Sequence, residues 1–471
     1  MVKKYSHIIL LFFLLLFNNI AEAKIVLPSF FSDNMVLQQQ SNVPIWGKSE
    51  KNSTVTLFTS WNKKTSITKA DENGRWKIFV QTPKAGGPFV ITIKDKETTI
   101  LNNVMIGEVW FCSGQSNMEM PMRGFKNQPI LNSNEILTDA DNSNLRLLTI
   151  KRNASVNVSD TCNGIWKISN AESAKEFSAV AYQYGALLQK KLQVPVGIIV
   201  SCWGGTTIQA WMDNETVSEF NEIKKIGISD TTKDKHKFSS TLFNGMIAPI
   251  VGYGIKGFLW YQGESNRHEP QLYGKLFPAM VTSWRKLWAT KTTLPFYYVQ
   301  IAPFGGKDTT RSGKHLREVQ MQAMNIIPDA GMAVTMDIGD ETFIHFPDKT
   351  TVAKRLLYWA LAKTYNYKGL EYCGPVYKYI KIENNKLNVF FDYAENGLTS
   401  FGKELQSFEI AGADKIFYPA RAMINDDKSV QVWNDEVKNP VAVRYAFKEY
   451  VKGDLYNNAG LPASSFRTDN W

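Results

Sequence analysis

Residues 109 to 118 read Val-Trp-Phe-Cys-Ser-Gly-Gln-Ser-Asn-Met, an apolar run that leads into a Gly-Gln-Ser-Asn turn. Such a run predicts a buried strand that presents the hydroxyl group of Ser116 at its carboxyl end. At that end of a sheet, the N–H groups of a following turn or helix can stabilise an anion. We therefore interpret Ser116 as a candidate nucleophile. An ordinary buried strand that ends in a Gly-Ser turn explains the same residues, because short motifs also occur by chance.

The chain around this run alternates strands with helices. Strands buried on both faces are almost wholly apolar, and five runs have this character: Val104–Cys112, Val196–Cys202, Gly257–Tyr261, Phe296–Ile301 and Met332–Met336. Amphipathic stretches with helical spacing accompany them: Phe177–Leu192, Tyr273–Trp288 and Lys349–Tyr365. This alternation predicts an α/β fold, a doubly wound domain with a mainly parallel sheet. Ligands of such domains bind outside the carboxyl ends of the strands.

The regions on both sides of this domain are rich in predicted strands. Short alternating runs separated by turn residues occupy residues 24–103 and suggest a small β-sandwich. A second series of strand-like runs begins at about residue 366. We therefore expect an N-terminal β-domain at 24–103, an α/β domain at 104–365 and a C-terminal β-domain at 366–471.

The first 23 residues have the pattern of a secretory signal peptide. Lys3 and Lys4 precede an apolar run from Ile8 to Phe17, and Ala21-Glu22-Ala23 is a small-x-small cleavage pattern. The run is shorter than the ~20 residues that a membrane-spanning helix needs. We expect cleavage after Ala23, no integral membrane span in the mature chain, and a secreted, periplasmic or lumenal protein. A retained membrane anchor is the alternative.

Charge and cysteine content argue against several classes of protein. The net charge is +10, but Lys and Arg are scattered among acidic residues, so we expect no nucleic-acid partner. The four cysteines are far apart and form no CxxC pair, which argues against a disulfide scaffold and against a zinc site. Buried free thiols and a disulfide bridge both stay open, as does the oligomeric state.

Polar clusters follow four of the predicted strands. A hydrolytic serine needs a base for its proton and N–H donors for the oxyanion. Besides the Ser116 turn, the clusters are Gly204-Gly205, the loop from Gln262 to Asn266, and Asp337 to Asp340 followed by His345. His345 is the one histidine just beyond an apolar strand, which makes it the candidate base. A tight turn, a satisfied polar loop and a helix-capping histidine are the alternative interpretations, and all three would have to hold together to remove the site.

With these clusters, the chain resembles the sialate O-acetylesterase family, a branch of the SGNH (GDSL-like) hydrolases. The matching segments follow the family's order along nearly the whole mature chain: Asp33–Gln38, Val43–Gly47, Gly107–Trp110, Gly114–Met118, Trp203–Thr206, Trp260–Asn266, Leu316–Gln320, Ile344-His345 with Lys349 and Arg355-Leu356, Leu455–Asn457, Gly460–Pro462 and Phe466-Arg467. The resemblance implies a flavodoxin-like SGNH hydrolase domain flanked by β-sandwich-like regions. It also implies a carboxylic ester hydrolase that needs no metal or cofactor.

Site residues are carried over by the same resemblance. It implies that Ser116 is the nucleophile and His345 the general base. The backbone N–H groups of Ser116 and of Gly204 or Gly205 correspond to oxyanion-hole donors. A polar side chain from the third cluster would complete the hole, and Gln262, Glu264 and Asn266 are the candidates.

The acid behind the histidine is the point at which this chain departs from the superfamily. Many SGNH enzymes have an Asp three residues before the catalytic His, and here that position is Thr342. Asp337 is the first candidate for the acid, followed by Asp340 and Glu264. A Ser–His dyad oriented by a backbone carbonyl is the alternative.

The expected substrate is an acetylated carbohydrate. The resemblance implies O-acetylated sialic acid, and acetylated xylan or another plant polysaccharide is the alternative. Trp260, Arg317 and Gln320 are candidate substrate contacts, with Arg317 suited to a sialate carboxylate; a core ring and a structural ion pair explain Trp260 and Arg317 equally well.

Two other functions compete with an esterase. A glycosidase would use Glu264 and Asp337 as paired carboxylates, and it would cleave glycosidic bonds without Ser116. A carbohydrate-binding protein with an inert serine site would bind sugars without releasing acetate.

Overall fold

A computed structural model of the protein describes residues 24–223, 227–229, 231–306, 310 and 312–471. The predicted signal peptide lies outside the described residues, so its cleavage stays a prediction. Among the described residues, no helix is both long and apolar enough to cross a membrane. All four cysteines are buried free thiols.

The N-terminal region consists of strands, as expected. Its strands are β1 (Val36–Gln38), β2 (Asn42–Lys48), β3 (Thr54–Thr59), β4 (Lys64–Lys69), β5 (Arg75–Gln81) and β6 (Gly86–Lys94). Alternate residues of β2 and β5 are buried, and the two strands pair antiparallel over seven residues each. This alternation is typical of strands with one face on a core and one in water.

The central region is the predicted α/β unit. Its elements are β7 (Thr98–Gly114), α1 (Ser116–Glu119), α2 (Ser133–Thr138), β8 (Asn142–Thr149), β9 (Lys167–Ser169), α3 (Ala171–Lys175), α4 (Ala179–Leu192), β10 (Val196–Cys202), α5 (Asn214–Ser218), β11 (Gly257–Tyr261), α6 (Pro270–Trp288), β12 (Phe296–Val299), α7 (Gly313–Ile326), β13 (Ala330–Ala333) and α8 (Lys349–Trp359). The sheet order is β13-β12-β11-β7-β10-β8-β9. Every pairing along this path is parallel except β8 with β9. The prediction of a mainly parallel sheet is confirmed.

Helices cover both faces of this sheet. Trp110 and Cys112 of β7 belong to one hydrophobic cluster with buried residues of α4 and α8. Val109 and Phe111, which point the opposite way, belong to another cluster with buried residues of α6 and α7. A strand buried on both faces explains why β7 has no polar alternation.

Strand β7 connects the N-terminal β-region to the α/β sheet. Its first half pairs with β6, while its second half pairs with β10 and β11. The expected boundary between residues 103 and 104 therefore falls inside a continuous strand of 17 residues. The two regions share a backbone hydrogen-bond network at this place.

The C-terminal region is again made of strands. They are β14 (Val376–Glu383), β15 (Lys386–Asp392), β16 (Leu398–Thr399), β17 (Phe408–Ala411), β18 (Phe417–Pro419), β19 (Arg421–Ile424), β20 (Val430–Trp433), β21 (Ala442–Tyr445), β22 (Tyr456–Asn457) and β23 (Phe466–Arg467). They form two four-stranded antiparallel sheets and one two-stranded sheet. The β-rich flanks are thus confirmed at both ends of the α/β unit.

Several elements of the α/β unit differ from the prediction, among them β8 and β9, which no predicted run covered. Strands β12 and β13 end at Val299 and Ala333, two and three residues earlier than predicted. Beyond these ends, the Gln300 N–H still donates to the Ala333 carbonyl, and Thr335 Oγ1 donates to the Gln300 carbonyl. Helix α7 was not predicted, because its buried face includes the polar residues Arg317 and Gln320, which interrupt the apolar spacing.

Candidate active site

Three strands of the sheet end at the same level beneath the candidate nucleophile. Gly114, the last residue of β7, pairs with Cys202 at the end of β10 and with Tyr261 at the end of β11. Gly114 has a φ of +138°, and a Cβ atom there would lie 2.1 Å from the Tyr261 carbonyl oxygen. Only glycine fits this close approach. The chain can therefore turn at once into α1, which begins at Ser116.

Ser116 and His345 form a hydrogen-bonded pair at this edge of the sheet. The Ser116 Oγ lies 2.8 Å from the His345 Nε2. His345 comes from the segment between β13 and α8, and its ring contacts the edge of the Phe125 ring at a centroid distance of 5.3 Å. A serine hydroxyl bonded to an imidazole nitrogen is the arrangement that lets the imidazole take up the hydroxyl proton.

A glutamine lies behind the histidine. The His345 Nδ1 is 2.6 Å from the Oε1 of Gln128. Because an amide oxygen only accepts, this contact requires the Nδ1–H tautomer, which leaves Nε2 free to accept from Ser116. Burial, with a smaller contribution from the charge of Lys349, lowers the pKa of His345 to about 4. The imidazole is therefore neutral at physiological pH and able to act as a base.

The Gly204-Gly205 turn approaches Ser116 from β10. A Cβ atom on Gly204 would lie 3.1 Å from the Ser116 Cβ. The Gly204 N–H donates to the Glu119 carboxylate over 2.8 Å, and Arg152 donates to the other oxygen of that carboxylate. The Glu119 oxygen therefore occupies the place beside Ser116 where an oxyanion could accept a hydrogen bond from the Gly204 N–H.

A cleft opens next to this ion pair. It has a volume of about 250 Å³, and its lining includes Glu119, Arg123, Phe125, Lys151 and Arg152. Arg123 is paired with Glu176 over 2.8 Å. Three basic side chains line the cleft against two acidic ones, Glu119 and Glu176, so the cleft has a net positive charge.

Comparisons with known proteins agree with this geometry. Residues 106–365, more than half of the chain, match the family described as carbohydrate esterase, sialic acid-specific acetylesterase. The sialate O-acetylesterase of Homo sapiens is 30% identical over 485 residues, with 93% of this chain and 91% of the human protein covered. The chain belongs to the sialic acid-specific acetylesterase family. It is a carboxylic ester hydrolase, as the resemblance implied.

Other similar proteins carry related names. The sialate O-acetylesterase of Pongo abelii is 29% identical over 485 residues, covering 93% of this chain and 91% of that protein. The crystal structure of a carbohydrate acetylesterase from Xanthomonas citri superposes with a TM-score of 0.86 at 34% identity, covering 95% of this chain and 100% of that one. The acetylesterase fold therefore extends through both β-rich flanks of the chain.

Neither Asp337 nor Asp340, the expected acids, is bonded to the Nδ1 atom of His345 in this member of the acetylesterase family. Both oxygens of Asp337 accept from the Arg355 guanidinium, over 2.7 and 2.6 Å. Asp340 accepts from the backbone of Thr342 and Phe343. The expectation that Asp337 is the orienting acid is therefore corrected, because its carboxylate holds α8 and Gln128 takes the Nδ1 position.

The third polar cluster is also engaged elsewhere. The amide nitrogen of Gln262 donates to the Thr206 carbonyl and to Asn266. The Asn266 amide nitrogen in turn donates to Gln209 and Glu269. Neither amide keeps a hydrogen for an oxyanion, because an amide nitrogen has only two. The expectation that Gln262 or Asn266 completes the oxyanion hole is corrected, and Glu264, the third candidate, bonds Asn117.

The proposed substrate contacts of this acetylesterase are core residues. Trp260 and Gln320 are buried, and Gln320 bonds the backbone of Ile301 and Gln262. Arg317 is wholly buried, and its guanidinium donates to the backbone carbonyl of Lys448. None of the three side chains is placed to touch a sugar. Of the two carboxylates that a glycosidase would use, Asp337 is bonded to Arg355 and Glu264 to Asn117.

Residues that the sequence did not single out complete the site. Gln128 lies in an irregular segment between α1 and α2, where no periodicity or motif marks it. Glu119 stands three residues after Ser116, a spacing that places both on one face of a helix and could have indicated it. Among the described residues, no group of three or more His, Cys, Asp or Glu side chains is arranged to hold a metal ion.

Proposed function

We propose that this protein removes O-acetyl groups from carbohydrates through an acetyl-enzyme formed on Ser116. The observation that carries the proposal is the 2.8 Å hydrogen bond between Ser116 Oγ and His345 Nε2. Membership of the acetylesterase family supports the reaction class.

Proton transfers in this mechanism pass through one nitrogen atom. His345 Nε2 takes the Ser116 proton while Oγ attacks the acetyl carbonyl carbon, and a tetrahedral oxyanion forms. The same nitrogen then gives the proton to the sugar oxygen, which leaves as a hydroxyl group. Water, deprotonated by His345 Nε2, then attacks the acetyl carbon. The bond from that carbon to Ser116 Oγ breaks, the imidazolium returns the proton to Oγ, and acetate is released.

Gln128 replaces the acid in this mechanism. It accepts the Nδ1–H and so fixes the ring orientation and the tautomer, which is the part of the orienting role that needs no charge. We therefore describe the machinery as Ser116, His345 and Gln128.

The N–H groups of Ser116 and Gly204 are the proposed oxyanion donors. Glu119 holds the Gly204 N–H in the free protein, so the acetyl group has to displace that carboxylate. Arg152, already bonded to Glu119, is placed to hold it once displaced.

An O-acetylated sialic acid is the proposed substrate. The relatives' names support this choice, and so does the cleft beside Glu119, where Arg123, Lys151 and Arg152 suit an acidic sugar. We also propose that the protein acts after export and begins at Lys24, which N-terminal sequencing of the mature protein would check.

Acetate release tests both parts of the proposal. Ser116→Ala should reduce hydrolysis of an activated acetyl ester on the order of 10⁶-fold, with an unchanged circular dichroism spectrum. The wild-type protein should release acetate faster from O-acetylated sialic acid than from acetylated xylan oligomers. Full activity of S116A would overturn the mechanism, while a preference for xylan oligomers would overturn only the substrate.

A further inference from the structure

A buried polar cluster of Glu264, Asn117 and Lys349 lies behind the Ser116–His345 pair. Lys349 is wholly buried, and its Nζ donates to Asn117 Oδ1 over 2.6 Å. The Asn117 amide nitrogen donates to the Glu264 carboxylate and, over 3.1 Å, to the carbonyl oxygen of residue 344. The residue next to the serine is therefore bonded to the residue next to the histidine.

The cluster joins three separate segments of the chain. Asn117 belongs to α1, Glu264 to the loop after β11, and Lys349 to the first turn of α8. The contact from Asn117 to Ile344 spans 227 residues of sequence. Since the serine and the histidine lie on segments this far apart, their alignment depends on such tertiary contacts.

A buried ammonium group is costly unless it has partners. Lys349 Nζ has the Asn117 oxygen and also lies 3.9 Å from the centroid of the Phe346 ring. An apolar side chain could fill the same volume at a lower cost in desolvation. The charge at this position therefore requires an explanation beyond packing.

We propose that Lys349, acting through Asn117, positions His345 against Ser116 and electrostatically opposes protonation of that histidine. The inference rests on the proposed function, because it assigns a role relative to the same pair. Lys349 does not touch the reacting atoms, so it is a positioning residue.

The electrostatic part follows from the surroundings of the pair. Burial lowers the pKa of Lys349 to about 7, against the opposing effect of Glu264 and Asp348. Lys349 is thus protonated below about pH 7, in the range where an ordinary histidine gains its proton. The other charged groups near the pair are Glu119 on α1, which is bonded to Arg152, and Glu264, whose own pKa is raised by burial.

Two substitutions of Lys349 separate the two effects. Lys349→Met removes the hydrogen bond and the charge, so kcat should fall by up to about 100-fold. Lys349→Gln keeps a donor toward Asn117 but removes the charge, so kcat should fall less. In both variants the acid limb of kcat/KM should move to higher pH, because the pKa of His345 is no longer lowered by Lys349.

Lys354→Met is the matched control, because Lys354 lies on the same helix and is exposed. It should leave kcat and the pH profile unchanged. A merely structural role for Lys349 would lower the unfolding temperature without moving the acid limb. If K349M does not fold, the position of the acid limb of kcat/KM in K349Q decides whether Lys349 opposes protonation of His345.

The results distinguish this inference from the proposed function. An acid limb at the wild-type position in the folded Lys349 variants, together with an inactive S116A protein, would overturn the inference alone. Full activity of S116A would overturn the proposed function and the inference with it.

Discussion

At the scale of single residues, the group bonded to His345 Nδ1 is a neutral amide. Gln128 Oε1 accepts the Nδ1–H over 2.6 Å at the position where a Ser-His-Asp enzyme has a carboxylate. The amide fixes the tautomer, but it contributes no negative charge to stabilise the imidazolium. This agrees with the lowered pKa of His345, about 4, which burial and Lys349 produce.

Gln128→Glu should move the pH profile in a defined direction. A carboxylate beside Nδ1 favours the imidazolium and raises the pKa of His345. Because the base must be unprotonated, activity falls as the pH drops through this pKa, so the acid limb of kcat/KM should move from near pH 4 to higher pH. Gln128→Ala should lower kcat by roughly 100-fold or more, because the tautomer is no longer held.

The control for the glutamine variants is Gln322→Glu, an exposed position on α7. It adds the same charge away from the site and should reproduce the wild-type profile. A Q128E profile that coincides with that of Q322E would contradict the role of Gln128.

At the scale of elements, the site depends on how β7, β10 and β11 end together. Gly114 touches the Tyr261 carbonyl where a Cβ atom would not fit, and Gln115 N–H donates to the same carbonyl oxygen over 3.0 Å. The Gln115 side chain in turn accepts from the backbone N–H groups of Gly263 and Ser265. The serine turn is thus bonded to the exit of the neighbouring strand.

Gly114→Ala should therefore destabilise the protein and displace Ser116. We expect a loss of about 1–3 kcal/mol in the free energy of unfolding from the positive φ and the collision with Tyr261, together with a large fall in kcat. Gly369→Ala is the control, since Gly369 has a φ of +73° and open space around a Cβ. Urea denaturation of both variants should show the larger loss for G114A; equal losses would contradict the collision.

At the scale of the whole molecule, the C-terminal strands hold α7 against the α/β unit. Glu449 accepts from the Gly313 N–H at the start of α7 over 2.7 Å, and Arg467 of β23 bonds both oxygens of Glu318 within that helix. Gln320, on the same helix, donates to the Gln262 carbonyl beneath the site. The C-terminal region therefore supports the exit of β11 through α7.

Arg467→Met tests this support. Its ion pair with Glu318 is mostly buried, the two side chains being 17% and 16% exposed, so removal leaves a partly desolvated carboxylate. We expect the free energy of unfolding to fall by about 1–3 kcal/mol. Arg421→Met, which breaks an exposed pair with Asp435, should have little effect. A thermal shift of equal size in both variants would contradict the prediction.

Local residue patterns predicted most strands of the sheet and singled out Ser116 and His345 as candidates. Continuous apolar runs identified β7, β10 and β11, because strands buried on both faces have no polar alternation. The predicted bounds of β10 and β11 agree with the structure residue for residue. Position just after a buried strand then singled out the serine and the histidine.

The partners of these side chains were not predictable in the same way. Asp337 was the first candidate for the acid because it follows the last predicted core strand, but in the fold it meets Arg355. The group that does reach His345 is Gln128, which is 217 residues away in sequence. Burial of a strand depends on its own residues, so the sequence by itself determined the central strands and the place of Ser116 at the end of one of them. Which side chain meets the imidazole depends on how distant loops pack together, so only the tertiary structure decided the group behind the histidine.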